Sequence, residues 1–253
     1  MEYAFLSKNV SIKTVSESAS EGVFEISGLY RGYGMTLGNS LRRVLLSSLP
    51  GAAATQIKIK GVKHEFSTIS DVLEDVVDIT INIKKIRFKI FSDEPQVLTL
   101  KKKGAGKITA GDFKANAQIE IVNPEVHLAT ITSKSAELDM EIVVEKGLGY
   151  SPVETRKTEK LPIGSIAIDA LFTPVVNVNF EVENMRVGDR TDYNRLILTI
   201  ETDKTITPSQ ALHKAASIFK DHIEIVLGVN VKDESGAKKK ESEVKKATKK
   251  SKK

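Results

Sequence analysis

The chain has 253 residues, 40% of them hydrophobic and 28% charged, with no cysteine. That length can bury one or two good cores, and zero cysteines exclude disulfides and thiolate metal sites. No apolar run approaches the roughly 20 residues of a membrane helix, and MEYAFLSKNV at the N-terminus lacks the basic-then-apolar layout of a secretory signal. The expected compartment is the cytoplasm.

The net charge of +5 is unevenly placed. Residues 233–253 carry nine lysines against four acids, and the other 29 basic and 29 acidic residues cancel. A neutral body argues against a large nucleic-acid footprint on the folded part.

The first predicted helix covers residues 37–49. Thr36 is its expected N-cap, because a threonine hydroxyl can accept from the free amides of the first turn, and Pro50-Gly51 stops it. At 100° per residue, Leu37, Leu41, Val44, Leu45 and Leu49 form a core stripe. Asn39, Arg42, Arg43 and Leu46 fall opposite. A leucine between arginines on an outward face fits a partner surface; the alternative is an ordinary exposed leucine.

Period-2 alternation then predicts strands. Ile57 and Ile59 alternate with lysines. Val77, Ile79, Ile81 and Ile83 alternate with polar residues, Leu138, Met140, Ile142 and Val144 with Asp139, Glu141 and Val143, and later Val176, Val178, Phe180 and Val182 with Asn177, Asn179 and Glu181. Turns are expected at Asp93-Glu94-Pro95, at Asn123-Pro124 and at residues 103–106, the last as a hairpin turn.

The second predicted helix starts with Thr207 as N-cap, Pro208 at the first helical position and Gln210 in the capping-box place. It runs to Leu227, and Gly228 closes it. Residues 211–227 carry apolar groups over an arc of about 200°. That is wider than one sheet requires, so the helix either meets a second chain or is wholly buried in one core. Two long helices with many strands make the fold class α+β.

Chemical constellations are sparse. His64, His127, His213 and His222 lie in no metal-ligand spacing. The run Lys103 to Lys107 lacks a phosphate-loop frame, because Ile108 follows the second lysine. Glu74, Asp75 and Asp78 read as a solvated acidic face, with Asp78 on the polar side of a strand. No serine or threonine sits in a nucleophile elbow. The chain itself reads as non-catalytic.

Several runs carry a resemblance. They are Arg31-Gly32-Tyr33-Gly34, Thr36-Leu37-Gly38-Asn39, residues 41–48 (LRRVLLSS), Pro50-Gly51-Ala52-Ala53 and residues 61–68 (GVKHEFST). Glu74-Asp75-Val76, Gly147-Leu148-Gly149-Tyr150, Arg190-Thr191-Asp192 and residues 211–218 (ALHKAASI) follow. With these, residues 1–230 resemble the N-terminal domain of the bacterial RNA polymerase alpha-subunit family. So long a match is more specific than any short motif. Leu49 is a mild departure from the methionine usual before the proline.

The resemblance implies a discontinuous dimerisation domain, residues 1–50 with 175–231, interrupted by a β-rich domain at 51–174. It implies a homodimer that collects the beta and beta-prime subunits of a nucleotidyltransferase complex. Beta contacts carry over to Arg43, Leu46, His64, Phe66 and Ser67, and beta-prime contacts to Val175, Arg190 and Arg195. The dimer face falls on Leu212, Ala215, Ile218, Phe219, His222 and Ile225. No cofactor is expected in this chain, since the polymerase's magnesium and zinc belong to other subunits. The compartment is then a bacterial cytoplasm, at the nucleoid, with a plastid as the alternative. The family's small DNA-binding C-terminal domain has no counterpart up to Lys253. Instead residues 232–253 form a lysine-rich tail with too little apolar surface to order it. The tail is either a solubility segment or a weak, non-specific contact to DNA backbone. The rival to the whole reading is a free-standing nucleic-acid-binding protein that uses this tail.

Overall fold

A computed structural model describes residues 9–114, 116–156, 162 and 164–229. The lysine-rich tail lies outside them. The fold is α+β, with mainly antiparallel strands.

One sheet joins the two ends of the chain. Strands β1 (Ser11–Glu17) and β2 (Glu21–Leu29) pair with β14 (Arg190–Thr202) and β13 (Val175–Val187) in the order β1-β2-β14-β13. Helix α1 (Tyr33–Ser47) and the first turns of α3 (Pro208–Leu227) cover it. The core between them holds Phe24, Ile26, Leu41, Leu45, Leu49, Leu196, Leu198, Ile200, Ala211 and Ala215.

A second sheet, in the order β11-β3-β9-β5, is built from β3 (Pro50–Ile59), β5 (Gln96–Lys103), β9 (Glu137–Leu148) and β11 (Ser165–Ala167). Three two-stranded ribbons accompany it. They pair β4 (Phe88–Ile90) with β7 (Ile119–Ile121), β6 (Gly106–Thr109) with β8 (His127–Ile131), and β10 (Tyr150–Ser151) with β12 (Ala170–Leu171). Its core runs from Ala54 to Ile168 and includes Ile57, Leu100, Leu128, Met140 and Ile142. The alternation at residues 138–144 is realised here: Leu138, Met140, Ile142 and Val144 are all buried.

Four expectations need correction. Helix α1 begins three residues before Thr36, which is therefore not its N-cap. Gly32 takes that position in the left-handed region, at φ 86°. The acceptor comes from β14: the Asn194 side-chain oxygen accepts from the amides of Gly32 and Gly34, at 2.8 and 3.4 Å. The Thr36 hydroxyl instead donates back to the Gly32 carbonyl. Glycine at 34 and 38 lets the helix lie close on the sheet, because a Cβ would come within 2.7 Å of Val182 and 2.6 Å of Phe180.

Residues 77–83 form no strand. They belong to helix α2 (Val76–Ile83), capped by the Asp75 carboxylate, which accepts from the Asp78 amide at 2.7 Å. VVDITINI carries both periods at once, and the helix buries Val76, Ile79 and Ile83 while leaving Ile81 exposed. The local cap decides between the two.

The turn at 103–106 is not a hairpin, because β5 and β6 belong to different sheets. In β13 an irregularity between Val175 and Asn177 shifts the phase. Val175 and Val178 are therefore buried, and Val176 is 60% exposed. A bulge moves every preceding side chain to the other face.

Candidate partner-docking surfaces

The residues of the first surface, those expected to meet the beta subunit, lie in two places, the outer side of α1 and the connection from β3 to α2. Arg42 and Arg43 are exposed. Leu46 is not on the outward face: it is half-buried against the α1 core, and the Thr173 hydroxyl donates to its carbonyl at 3.4 Å. His64 is exposed, with its Nδ1 3.2 Å from the Ser67 hydroxyl. Phe66 is 77% exposed, far beyond what its own fold needs. It borders an open cleft of about 480 Å³, shared with Val77, Ile81, Lys84, Val153 and Asp169. The cleft's rim is ionic, since Lys84 Nζ lies 3.0 Å from Asp169.

Behind this connection sits a group that the sequence reading set aside. Glu74 is not part of a solvated face. Its side chain is 14% exposed, and its carboxylate accepts from the Thr130 amide at 2.6 Å and the Thr130 hydroxyl at 3.1 Å. His127 Nε2 lies 2.8 Å away. Burial pushes this carboxyl up, but the bonds from His127 and Thr130 outweigh it and hold the group below its ordinary range. No sequence signal pairs Glu74 with partners more than 50 positions away.

The second surface is the β13–β14 hairpin. Val175 cannot offer its side chain to a partner, being only 4% exposed in the core; Val176 faces out beside it. Arg190 donates to both carboxylate oxygens of Asp192, at 3.0 and 2.8 Å. Its guanidinium lies 5.1 Å from the Tyr30 ring centre and 5.5 Å from that of Tyr193. The two rings meet edge to face. Arg190 thus holds the Asp192 carboxyl below its usual range. Arg195 pairs with Glu183, its register partner across the ladder. Both arginines are engaged within the chain, and exposed pairs of this kind add little stability. Their planar heads remain at the surface.

The third surface is on α3. The expected capping box forms: the Gln210 side chain accepts from the Thr207 amide and the Thr207 hydroxyl from the Gln210 amide, both at 3.3 Å. Leu212 and Ala215 are buried in their own chain's core, at 7% and 0% exposure. That corrects the expectation that they face a partner. Ile218 and Phe219 are half-buried, and His222 is exposed. Beyond them Ile225, Val226 and Leu227 are 76%, 65% and 76% exposed. The wide apolar arc is divided along the helix rather than around it: Ala211, Leu212 and Ala215 in the first turns are buried in the core, while Ile225, Val226 and Leu227 in the last are exposed among the described residues.

Among the described residues no cluster of three or more histidine, aspartate or glutamate side chains could hold a metal ion. No described helix is long and apolar enough to cross a membrane.

The described residues thus form a sheet assembled from residues 11–29 and 175–202 and a second β-rich core drawn from the residues between them. The family model described as "RNA polymerase Rpb3/RpoA insert domain" matches residues 57–173. The DNA-directed RNA polymerase subunit alpha of Symbiobacterium thermophilum is 49% identical over 220 residues, covering 86% of this chain and 70% of the relative. That of Moorella thermoacetica is 50% identical over 224 residues (88% and 71%). That of Oceanobacillus iheyensis is 46% identical over 215 (85% and 68%). The chain belongs to the DNA-directed RNA polymerase alpha-subunit family.

Proposed function

We propose that this chain is a non-catalytic scaffold subunit of RNA polymerase, a nucleotidyltransferase complex, and that it homodimerises and then gathers the beta and beta-prime subunits. The observation that carries the reading is α3. Its last turns leave the large apolar side chains of Ile225, Val226 and Leu227 exposed, and exposed apolar surface concentrated at one helix end marks a contact site. Ile225, with Phe219 and His222 on the same helix, is assigned to the dimer face; Leu212 and Ala215 support it from within the core. The dimerisation domain comprises 1–50 with 175–231 and the inserted domain 51–174.

Arg43, His64, Phe66 and Ser67 are assigned to the beta surface, with the half-buried Leu46 on the same helix as Arg43 at its edge. Arg190, Arg195 and the exposed Val176 are assigned to beta-prime, and Val175 anchors that strand from inside. Magnesium and zinc of the complex are placed on other subunits, and the complex in the bacterial cytoplasm. The neutral body favours this over a free-standing nucleic-acid binder. Residues 233–253 add at most weak, sequence-independent attraction to DNA; deleting them should flatten the salt dependence of the polymerase on duplex DNA.

The test is native co-purification with light scattering. The expected result is an alpha dimer carrying two further subunits much larger than itself. A monomer without large partners would overturn the reading. Arg43→Ala should keep the dimer mass and lower beta retention by about 1–4 kcal/mol, the range for interface anchors.

A further inference from the structure

The connection between β3 and α2, residues 60–75, has no regular helix or strand, yet it is tied down along its second half. Asp71 sits in the left-handed region at φ 62°, which a non-glycine residue keeps only when its surroundings over-determine it. Its carbonyl accepts from the Thr132 amide and hydroxyl, at 2.8 and 3.0 Å. Val72 bridges Ile131, and the Leu73 amide donates to the Thr130 carbonyl at 3.0 Å. Glu74 then takes the Thr130 amide, the Thr130 hydroxyl and His127. Finally the Val76 amide donates to the Ser67 carbonyl at 3.3 Å, closing residues 67–76 into a ring. That ring places the end of the Phe66 turn beside the start of α2.

We propose that Glu74 is a positioning residue for the Phe66 docking surface: its carboxylate clamps the ring to β8 and so holds the Phe66 side chain out for the beta subunit. The inference rests on the assignment of Phe66 to beta given above. The physical argument is preorganisation. A phenyl ring on a loose connection must be ordered on binding, and that ordering cost is subtracted from affinity. A connection already fixed at Asp71, Val72, Leu73 and Glu74 has met that cost during folding. Removing the carboxylate leaves the Thr130 amide without its partner and frees the ring at its most heavily bonded point.

The test is a double-mutant cycle on the full-length alpha dimer, titrated with its cognate beta subunit. Phe66→Ala should weaken affinity about thirtyfold and Glu74→Ala about tenfold, within the range of interface anchors. If Glu74 acts through Phe66, the double variant should stay near thirtyfold rather than reach the product of the two. Glu74→Gln keeps one acceptor oxygen and should lose about threefold. It also serves in the cycle should Glu74→Ala fail to fold. Hydrogen exchange should quicken at the Leu73 and Thr130 amides in Glu74→Gln, with β9 unchanged. Multiplicative losses, an unaffected affinity in both Glu74 variants, or unaltered exchange would overturn the clamp alone. An unaffected Phe66→Ala would overturn the beta assignment, and the clamp with it.

Discussion

The core spanning Ala54 to Ile168 comes from one continuous stretch of chain, while the core around Leu45 and Leu198 joins residues 24–49 to residues 175–215. In the first, neighbouring strands and ribbons supply both walls. In the second, the walls come from opposite ends of the sequence, and α3 runs on past the residues the core can bury. A core closed over so long an excursion has non-local contacts, which form later in folding than local ones. Its surplus apolar helix is where a partner would add stabilisation. The contrast teaches where to look for dependence on assembly: in the core made from the ends.

The largest effects should come from separating the two halves of α3. Leu212→Glu places a charge in the chain's own core, where an unpaired buried charge costs several kcal/mol. It should unfold the sheet of β1, β2, β13 and β14, seen as lost amide protection there. Ile225→Glu acts on a side chain that is 76% exposed. It should leave the melting temperature of the isolated chain nearly unchanged and turn the proposed dimer into a monomer on light scattering. Dimers of unchanged mass for Ile225→Glu would remove the proposed distinction between the halves.

A cavity in the continuous core tests its independence. Ile142 is fully buried, and Ile142→Ala should cost about 2–5 kcal/mol. Calorimetry should show a lowered transition for the inserted region while dimer mass persists. Loss of the dimer at temperatures where β2 and β14 remain protected would show that the cores are more tightly coupled than their sequence layout implies.

A smaller effect is expected at the cap of α1. Asn194→Ala removes the acceptor for two helix amides, which should cost about 1–2 kcal/mol. It falls on the core made from the ends, with no change in protection within residues 96–144. This cap also shows what was and was not legible in the sequence. The α3 capping box could be read because Thr207 and Gln210 are three residues apart, and β9 because each alternate side chain is buried against a continuous core. The α1 cap could not, since its acceptor stands 162 positions away. Helix α2 misled because its apolar residues satisfy periods of 2 and 3.6 alike. Leu46 misled because the wheel gives direction from the axis but not how far the core extends around the helix, and Leu46 is half-buried against it. Glu74 was invisible for the same reason as Asn194: its partners arrive only through the fold.

Acid should sharpen the comparison further. Among the described carboxyls held below their ordinary range, Glu74, Asp93, Asp112, Glu137 and Asp169 lie in or around the continuous core, while Asp192 belongs to the other. Burial raises Glu74 and Asp112, but bonds from His127 and Lys102, respectively, more than reverse it. For Asp169 the Val153 amide leads and Lys84 follows. A carboxyl depressed in the folded state binds fewer protons there than in the unfolded chain. Its stabilisation is therefore complete above the unfolded value, about pH 4, and is lost as pH falls through the lower folded value. Lowering the pH from about 5 towards 2 should thus loosen residues 67–76 and 107–112 first, before β2 and β14. Pulsed hydrogen exchange across that range would read the order directly. Protection lost first in β2 and β14 would mean that the core made from the chain ends, rather than these carboxylate clamps, sets the acid limit of the fold.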